Sequence, residues 1–306
     1  MPGVGREPGS PQAADETVTC VADPGSTPVG AVEDEVVDSR RARRPRMVCL
    51  DIDGTTINHA GEMSDAVREA VQDVAEAGVH VVMATGRACV AAMPIIRSLG
   101  ISRGRAVCSN GAVTLKLDPE RKKGYKFTEV VTFEPGPSLE LLRARIPGAL
   151  VAVEELGKGF KVNEPFPEGE LDGKIRVVGW DELVATPATR VTLRQPDVPV
   201  EDFLRTVHSV GLHGVSYAVG FSAWLDINPE GVSKASALEL VRRKLGVDPR
   251  DTVACGDQRN DLEMLSWAAR GVAMGNAPDE VKAVADEVTG HVDDDGLVPV
   301  LRSLIA

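Results

Sequence analysis

No stretch of this chain approaches the roughly 18 consecutive apolar residues of a membrane-crossing helix. The N-terminus also lacks the charged-then-apolar layout of a secretory signal, so a cytoplasmic protein is expected. Positive charge is scarce: 34 Lys and Arg stand against 46 Asp and Glu, a formal charge of -12. That balance disfavours nucleic acid and anionic membranes as partners, since both repel an acidic surface. Small metabolites stay open, because a few local cations at a site outweigh net charge. The five cysteines, Cys20, Cys49, Cys89, Cys108 and Cys255, are odd in number and lack metal-site spacing. Three of them lie in apolar runs and read as reduced, buried thiols. His59, His80, His208, His213 and His291 show no pairing at catalytic spacing and read as surface or packing residues. A nucleotide P-loop is missing too, because Gly231-Val232-Ser233-Lys234 lacks the two-glycine spacing.

The 306 residues suffice for one large domain or two modest ones. Residues 1–45, rich in Pro, Gly, Ser and acids and without a sustained period, bury too little apolar surface to order and read as a disordered tail. The tail closes on Arg40-Arg41-Ala42-Arg43-Arg44, a solvated charged linker rather than a nucleic-acid patch on so acidic a chain. Next comes Met47-Val48-Cys49-Leu50-Asp51-Ile52-Asp53-Gly54-Thr55, a short apolar run ending in two carboxylates and a glycine. In a parallel α/β sheet the carboxyl ends of strands open onto the ligand crevice, which would put Asp51 and Asp53 at its mouth. Two acids so close repel unless one is protonated or a cation, magnesium above all, neutralises them. Taken alone the pattern also suits an acidic turn that merely ends a strand.

The following chain alternates strand and helix. Ser64 is placed to cap a helix whose Val67, Ala70, Val71 and Val74 share a face, and Gly78 stops it. Residues 79–84 form a strand delivering Thr85 and Gly86 to the same edge. A helix over 87–99 is interrupted at Pro94, and a third strand over 106–109 runs into the Asn110-Gly111 turn. From about residue 130 strands and helices mix, with strands at 150–153, 174–178, 190–193 and 215–219 and helices at 138–146 and 200–210, the second turning Phe203, Leu204 and Val207 inward. Alternation resumes with strands at 224–227 and 252–255 around a helix at 233–245, and ends with strands near 271–274 and 288–289. The expected architecture is α/β: a Rossmann-like three-layer core with a parallel sheet, formed by 46–129 and 224–306, plus an α+β insert over 130–223.

Asp51-Ile52-Asp53-Gly54-Thr55, followed in order by Met83-Ala84-Thr85-Gly86-Arg87, Gly231-Val232-Ser233-Lys234 and Gly256-Asp257-Gln258-Arg259-Asn260-Asp261, resembles the haloacid dehalogenase superfamily of phosphoryl-transfer enzymes, and within it the Cof-type phosphatases with a C2B cap. The resemblance implies Asp51 as nucleophile, forming an aspartyl phosphate, and Asp53 as general acid and base. It implies that Thr85, Gly86, Lys234 and Asn260 grip phosphate. Magnesium would be held by Asp51, the backbone carbonyl of Asp53, and Asp257, with Gly54, Thr55 and Asp261 supporting. Asp261 either reaches the metal through water or positions Lys234. Arg87 either faces substrate or pairs with a carboxylate. Gln258 and Arg259 depart from the small residues commoner there. The implied function is a magnesium-dependent phosphatase of a small phosphorylated metabolite, with a phosphomutase or a metabolite-binding regulator as alternatives.

Overall fold

The computed structural model describes residues 46–219 and 223–306; the expected tail, its arginine cluster and Cys20 lie outside the described residues. In chain order the elements are β1 Met47–Leu50, α1 Asp65–Glu76, β2 His80–Ala84, α2 Cys89–Ser98, β3 Gly104–Cys108, β4 Val113–Leu117 and β5 Tyr125–Val130. Next come α3 Gly136–Arg145, β6 Leu150–Glu155, β7 Gly159–Val162, β8 Lys174–Val177, α4 Trp180–Val184, β9 Val191–Arg194, α5 Val200–Val210, β10 Val215–Val219 and β11 Trp224–Pro229. The chain closes with α6 Lys234–Leu245, β12 Thr252–Gly256, α7 Leu262–Trp267, β13 Arg270–Ala273, α8 Asp279–Lys282, β14 Glu287–Val288 and α9 Leu297–Ser303. Among the described residues no helix is long and apolar enough to cross a membrane.

These strands form two sheets, ordered β14-β13-β12-β1-β2-β3-β4-β5 and β10-β11-β9-β6-β7-β8. The first is parallel from β14 to β3, as expected, but β4 and β5 extend it antiparallel. Only residues 109–112 separate β3 from β4, too few for the dozen or so residues a parallel crossover needs. Alternation along β1 builds the layers. Val48 and Leu50 face the side occupied by Val67, Val71, Ile96 and Leu301, while Met47 and Cys49 face Leu238, Val241 and Leu265. Helix α2 runs through Pro94 without the expected interruption.

The second sheet holds the mixed segment, and it corrects one expectation. Residues 224–227, read as the resumption of the core, lie in β11, which pairs antiparallel with β10 and β9. Residues 220–223 are again too short a link for a crossover, so β10 and β11 must pair as a hairpin. One face of this sheet buries Val151, Val191, Leu193 and Leu225 against Leu139, Leu142, Phe203 and Val207 of α3 and α5, with Leu204 half-buried beside them. Its opposite face presents Ala152, Phe160 and Val162 to Ala88 of the first segment. The strands β4, β5 and β7 and the short α4 have no counterpart in the sequence reading.

Candidate active site

Strands β13, β12, β1 and β2 are adjacent and parallel, so their carboxyl ends share one edge, and each is followed there by a polar loop. Asp51 follows β1, Thr85 follows β2 and Asp257 follows β12; all three are buried. Lys234 opens α6, whose cap is reciprocal: the Ser236 amide donates to Ser233 Oγ and the Ser233 amide to Ser236 Oγ. Lys234, though in the first turn of its helix, is buried, 1% exposed. Its ammonium donates to Asp51 Oδ1 at 2.5 Å and to Asp261 Oδ1 at 2.7 Å. The other oxygen of Asp261 accepts the backbone amides of Asp257 and Gln258, both at 3.0 Å. Of the two roles open to Asp261, this geometry matches the one that positions Lys234.

Two glycines make these approaches possible. Gly54 has φ +77°, and a Cβ there would stand 2.2 Å from Asp257 Oδ2. A Cβ on Gly256 would stand 2.5 Å from Asp261 Cγ. Thr55 Oγ1 donates to Asp257 Oδ1 at 3.3 Å, so Gly54 and Thr55 both bear on Asp257.

Asp53 is half-exposed and bound bidentately by Arg87, Nε to Oδ2 at 2.8 Å and Nη2 to Oδ1 at 2.6 Å; Arg87 therefore pairs with a carboxylate. Its Nη1 also lies 3.7 Å from Asp172, which belongs to the segment carrying the second sheet. Thr85 does not cap α2, where Ala88 holds that position; its Oγ1 accepts the Arg87 amide at 3.0 Å. Asn260 Nδ2 donates to Asn110 Oδ1 at 3.0 Å, and its own Oδ1 is buried without a hydrogen-bond partner among the described residues. Gln258 Nε2 reaches Asp257 Oδ2 at 3.4 Å, and Arg259 pairs with Glu280 at 2.5 Å.

Several residues at this site carry no signal in the sequence reading. Asn276, just beyond β13, donates to Asp257 Oδ2 and to the Gly54 carbonyl. Its position after an apolar strand was the available clue. Asn110, read only as a turn, has φ 52° and donates to Asp226 and Asn228. From the second-sheet segment, Arg190 donates to the Gly86 carbonyl at 2.5 Å and lies between Glu154 and Asp226, each 3.5 Å away. Glu154 accepts from Ser109, and burial pushes its carboxyl above the usual range, with Arg190 pulling the other way. Arg190, Asp226 and Gly86 join Asp51, Asp53, Phe160, Leu171 and Trp224 around a cavity of about 350 Å³.

Electrostatically the buried acid cluster around Asp51 is short of positive charge. Burial raises the Asp51 carboxyl well above its ordinary value; Lys234 opposes this, while Asp261, Asp257 and Asp53 add to it. Asp257 is pushed up to about 7, by burial first and by Asp261 second. Burial pulls the Lys234 ammonium down, yet Asp261 and Asp51 together hold it above the usual lysine value. Because the folded pKa of Asp257 exceeds the unfolded one, near 3.9, the folded chain binds more protons between about pH 4 and pH 7, and stability falls as pH rises through that window. Without divalent cations, Asp257→Asn is therefore expected to melt above the wild type, by a margin that widens from pH 5 to pH 8. Thermal melts across that range check it, and a margin independent of pH contradicts it.

Residues 48–131 and 204–301 match the family model described as haloacid dehalogenase-like hydrolase. The chain is 29% identical over 272 residues to the putative phosphatase YkrA of Bacillus subtilis, across 85% of this chain and 97% of that protein. It is 26% identical over 270 residues to the 5-amino-6-(5-phospho-D-ribitylamino)uracil phosphatase YcsE of the same bacterium, across 84% and 94%. Among solved structures, a phosphatase of the haloalkanoate (HAD) enzyme superfamily from Bacteroides thetaiotaomicron superposes with a TM-score of 0.72 at 27% identity, covering 88% of this chain and 98% of that one.

Proposed function

This chain belongs to the haloacid dehalogenase-like hydrolase family, and we propose that it is a magnesium-dependent phosphatase of a small phosphorylated metabolite, working through an aspartyl phosphate on Asp51. The observation that carries this reading is the buried cluster of Asp51, Lys234, Asp257 and Asp261, whose Asp51 opens onto a cavity sized for a small molecule. Asp51, Asp257 and Asp261 each offer a carboxylate oxygen within 4.8 Å of the others. Lys234 and two amides occupy both oxygens of Asp261, which leaves Asp51 and Asp257, with the Asp53 carbonyl, as the all-oxygen set that suits magnesium. Magnesium, when bound, neutralises these acids and polarises the phosphate oxygens.

The residues then divide the work. The carboxylate of Asp51 attacks phosphorus, the ester bond to the leaving oxygen breaks, and Asp53 delivers a proton to that oxygen. Water then attacks the aspartyl phosphate, gives its proton to Asp53, and restores Asp51 as inorganic phosphate departs. Arg87 takes one lone pair on each Asp53 oxygen, which leaves a second lone pair on each to carry the proton. Lys234 stabilises the charge spread over the transferring group, and the Thr85 hydroxyl, the Gly86 amide and Asn260 orient its oxygens. The second sheet and its helices, between residues 131 and 229, act as a lid whose Phe160, Leu171 and Trp224 meet the leaving group.

A panel of phosphorylated metabolites and an aryl phosphate, scored by released phosphate with and without magnesium, tests the reading. Magnesium-dependent release from at least one is expected. Absence of turnover across phosphomonoesters with magnesium present would overturn it.

A further inference from the structure

Of the acids at the site, Asp257 has unusual company. Lys234 lies against Asp51 and Asp261, and Arg87 against Asp53, whereas the hydrogen bonds that reach the Asp257 carboxylate come from Thr55, Gln258 and Asn276, all neutral. A neutral donor orients a carboxylate without cancelling its charge. The charge Asp257 carries when ionised is therefore left for a bound cation, where a lysine in the same place would offset it.

Asn276 is the best placed of the three. One N–H of its Nδ2 reaches Asp257 Oδ2 at 3.0 Å and the other reaches the Gly54 carbonyl at 2.8 Å, while its Oδ1 accepts the Val292 amide at 3.0 Å. One side chain thus ties the loops after β1 and β12 to the segment beyond β14, with both donors and its acceptor engaged. The turn that presents it is itself fixed, since the Met274 amide donates to the Gly256 carbonyl and the Gly275 amide to the Gly290 carbonyl. Space there is closed as well: a Cβ on Gly275 would meet the Gly290 carbonyl carbon at 2.8 Å. An aspartate at 276 could not replace the asparagine, because its lone pairs would face the Gly54 carbonyl and the Asp257 carboxylate.

We propose that Asn276 is a positioning residue for the cation site, holding Asp257 Oδ2 against the loop of Asp51 and Asp53 so that both carboxylates address one magnesium ion. This inference rests on the magnesium reading above. Groups that orient a metal's carboxylate ligands typically contribute 10- to 100-fold in affinity, and a weakening of that size is expected for Asn276→Ala.

The test is calorimetric titration of magnesium into wild-type protein, Asn276→Ala, Asp257→Asn and the double variant, each first checked for native circular dichroism. Should Asn276→Ala fail to fold, Asn276→Ser, whose short hydroxyl cannot span both partners, takes its place with the same expectation. If Asn276 acts through Asp257, its removal should cost less than about threefold in the Asp257→Asn background, because the two effects share one cause. Raised magnesium should also restore most of the lost phosphate release. Wild-type binding with an unweakened Asn276→Ala would overturn the proposal, as would an undiminished loss in the Asp257→Asn background. Wild-type protein that binds no magnesium would instead overturn the magnesium reading on which it rests.

Discussion

Asp51→Asn is expected to lower turnover by about 10^4-fold or more while leaving the metal-free protein at least as stable as the wild type. The activity loss follows from the chemistry, because an amide is a poor nucleophile and no neighbouring carboxylate is placed to substitute for it. Asp53 is held by Arg87, and Asp261 by Lys234 and two backbone amides. The stability gain follows from the same crowding. Asp51, Asp257 and Asp261 are buried around a single lysine, so neutralising one acid relieves repulsion that the fold otherwise tolerates for function. Asp257→Asn should also lose activity, but through the metal: raised magnesium is expected to recover part of its turnover and none of that of Asp51→Asn. Phosphate release against magnesium concentration, with melting temperatures of both variants, checks this; equal recovery of the two would reverse the roles assigned to them.

The parts of this site legible in the sequence share one physical cause. Short apolar runs that end in polar residues, 47–50 before Asp51, 79–84 before Thr85 and 252–255 before Asp257, become parallel strands, and a parallel sheet lines up their ends. The helix at Lys234 is legible from Ser233 and Gly246, its cap and stop. What escapes notice depends on pairing and packing beyond the local pattern. Strands β4 and β5 have no counterpart in the sequence reading although Val113, Leu115 and Leu117 alternate with Thr114 and Lys116, and their antiparallel pairing is dictated by the short link after β3. Residues 224–227 read as a strand of the core until hairpin geometry assigns them to the second sheet. Glu154 on β6, Arg190 just before β9 and Asp226 on β11 become neighbours through the pairing of those strands, and only the folding of that segment onto the Gly86 loop brings them to the site.

Lys234→Met is expected to combine the other large effects, a loss of stability of about 3–5 kcal/mol and a fall in turnover of at least about 10^2 to 10^3-fold. The stability estimate is that for removing one member of a buried ion pair, which strands the partner's charge. Here two partners are stranded, at 2.5 and 2.7 Å, Asp261 fully buried and Asp51 nearly so at the edge of the cavity. Methionine keeps the volume and the apolar stem, so packing contributes little to the difference. The loss should shrink on acidification, because a protonated carboxyl can share its hydrogen with the other acid in place of the ammonium. The activity estimate is that for deleting one preorganised donor to a developing charge. A second substitution separates the two effects. In Lys234→Met with Asp261→Asn one stranded charge is gone, so much of the stability should return, whereas turnover should stay low because nothing replaces the ammonium beside the transferring phosphoryl group. Denaturant melts at pH 5 and pH 8, set beside phosphate release by both variants, measure this. Turnover that returned along with stability would make Lys234 a structural counter-charge and would remove it from the chemistry.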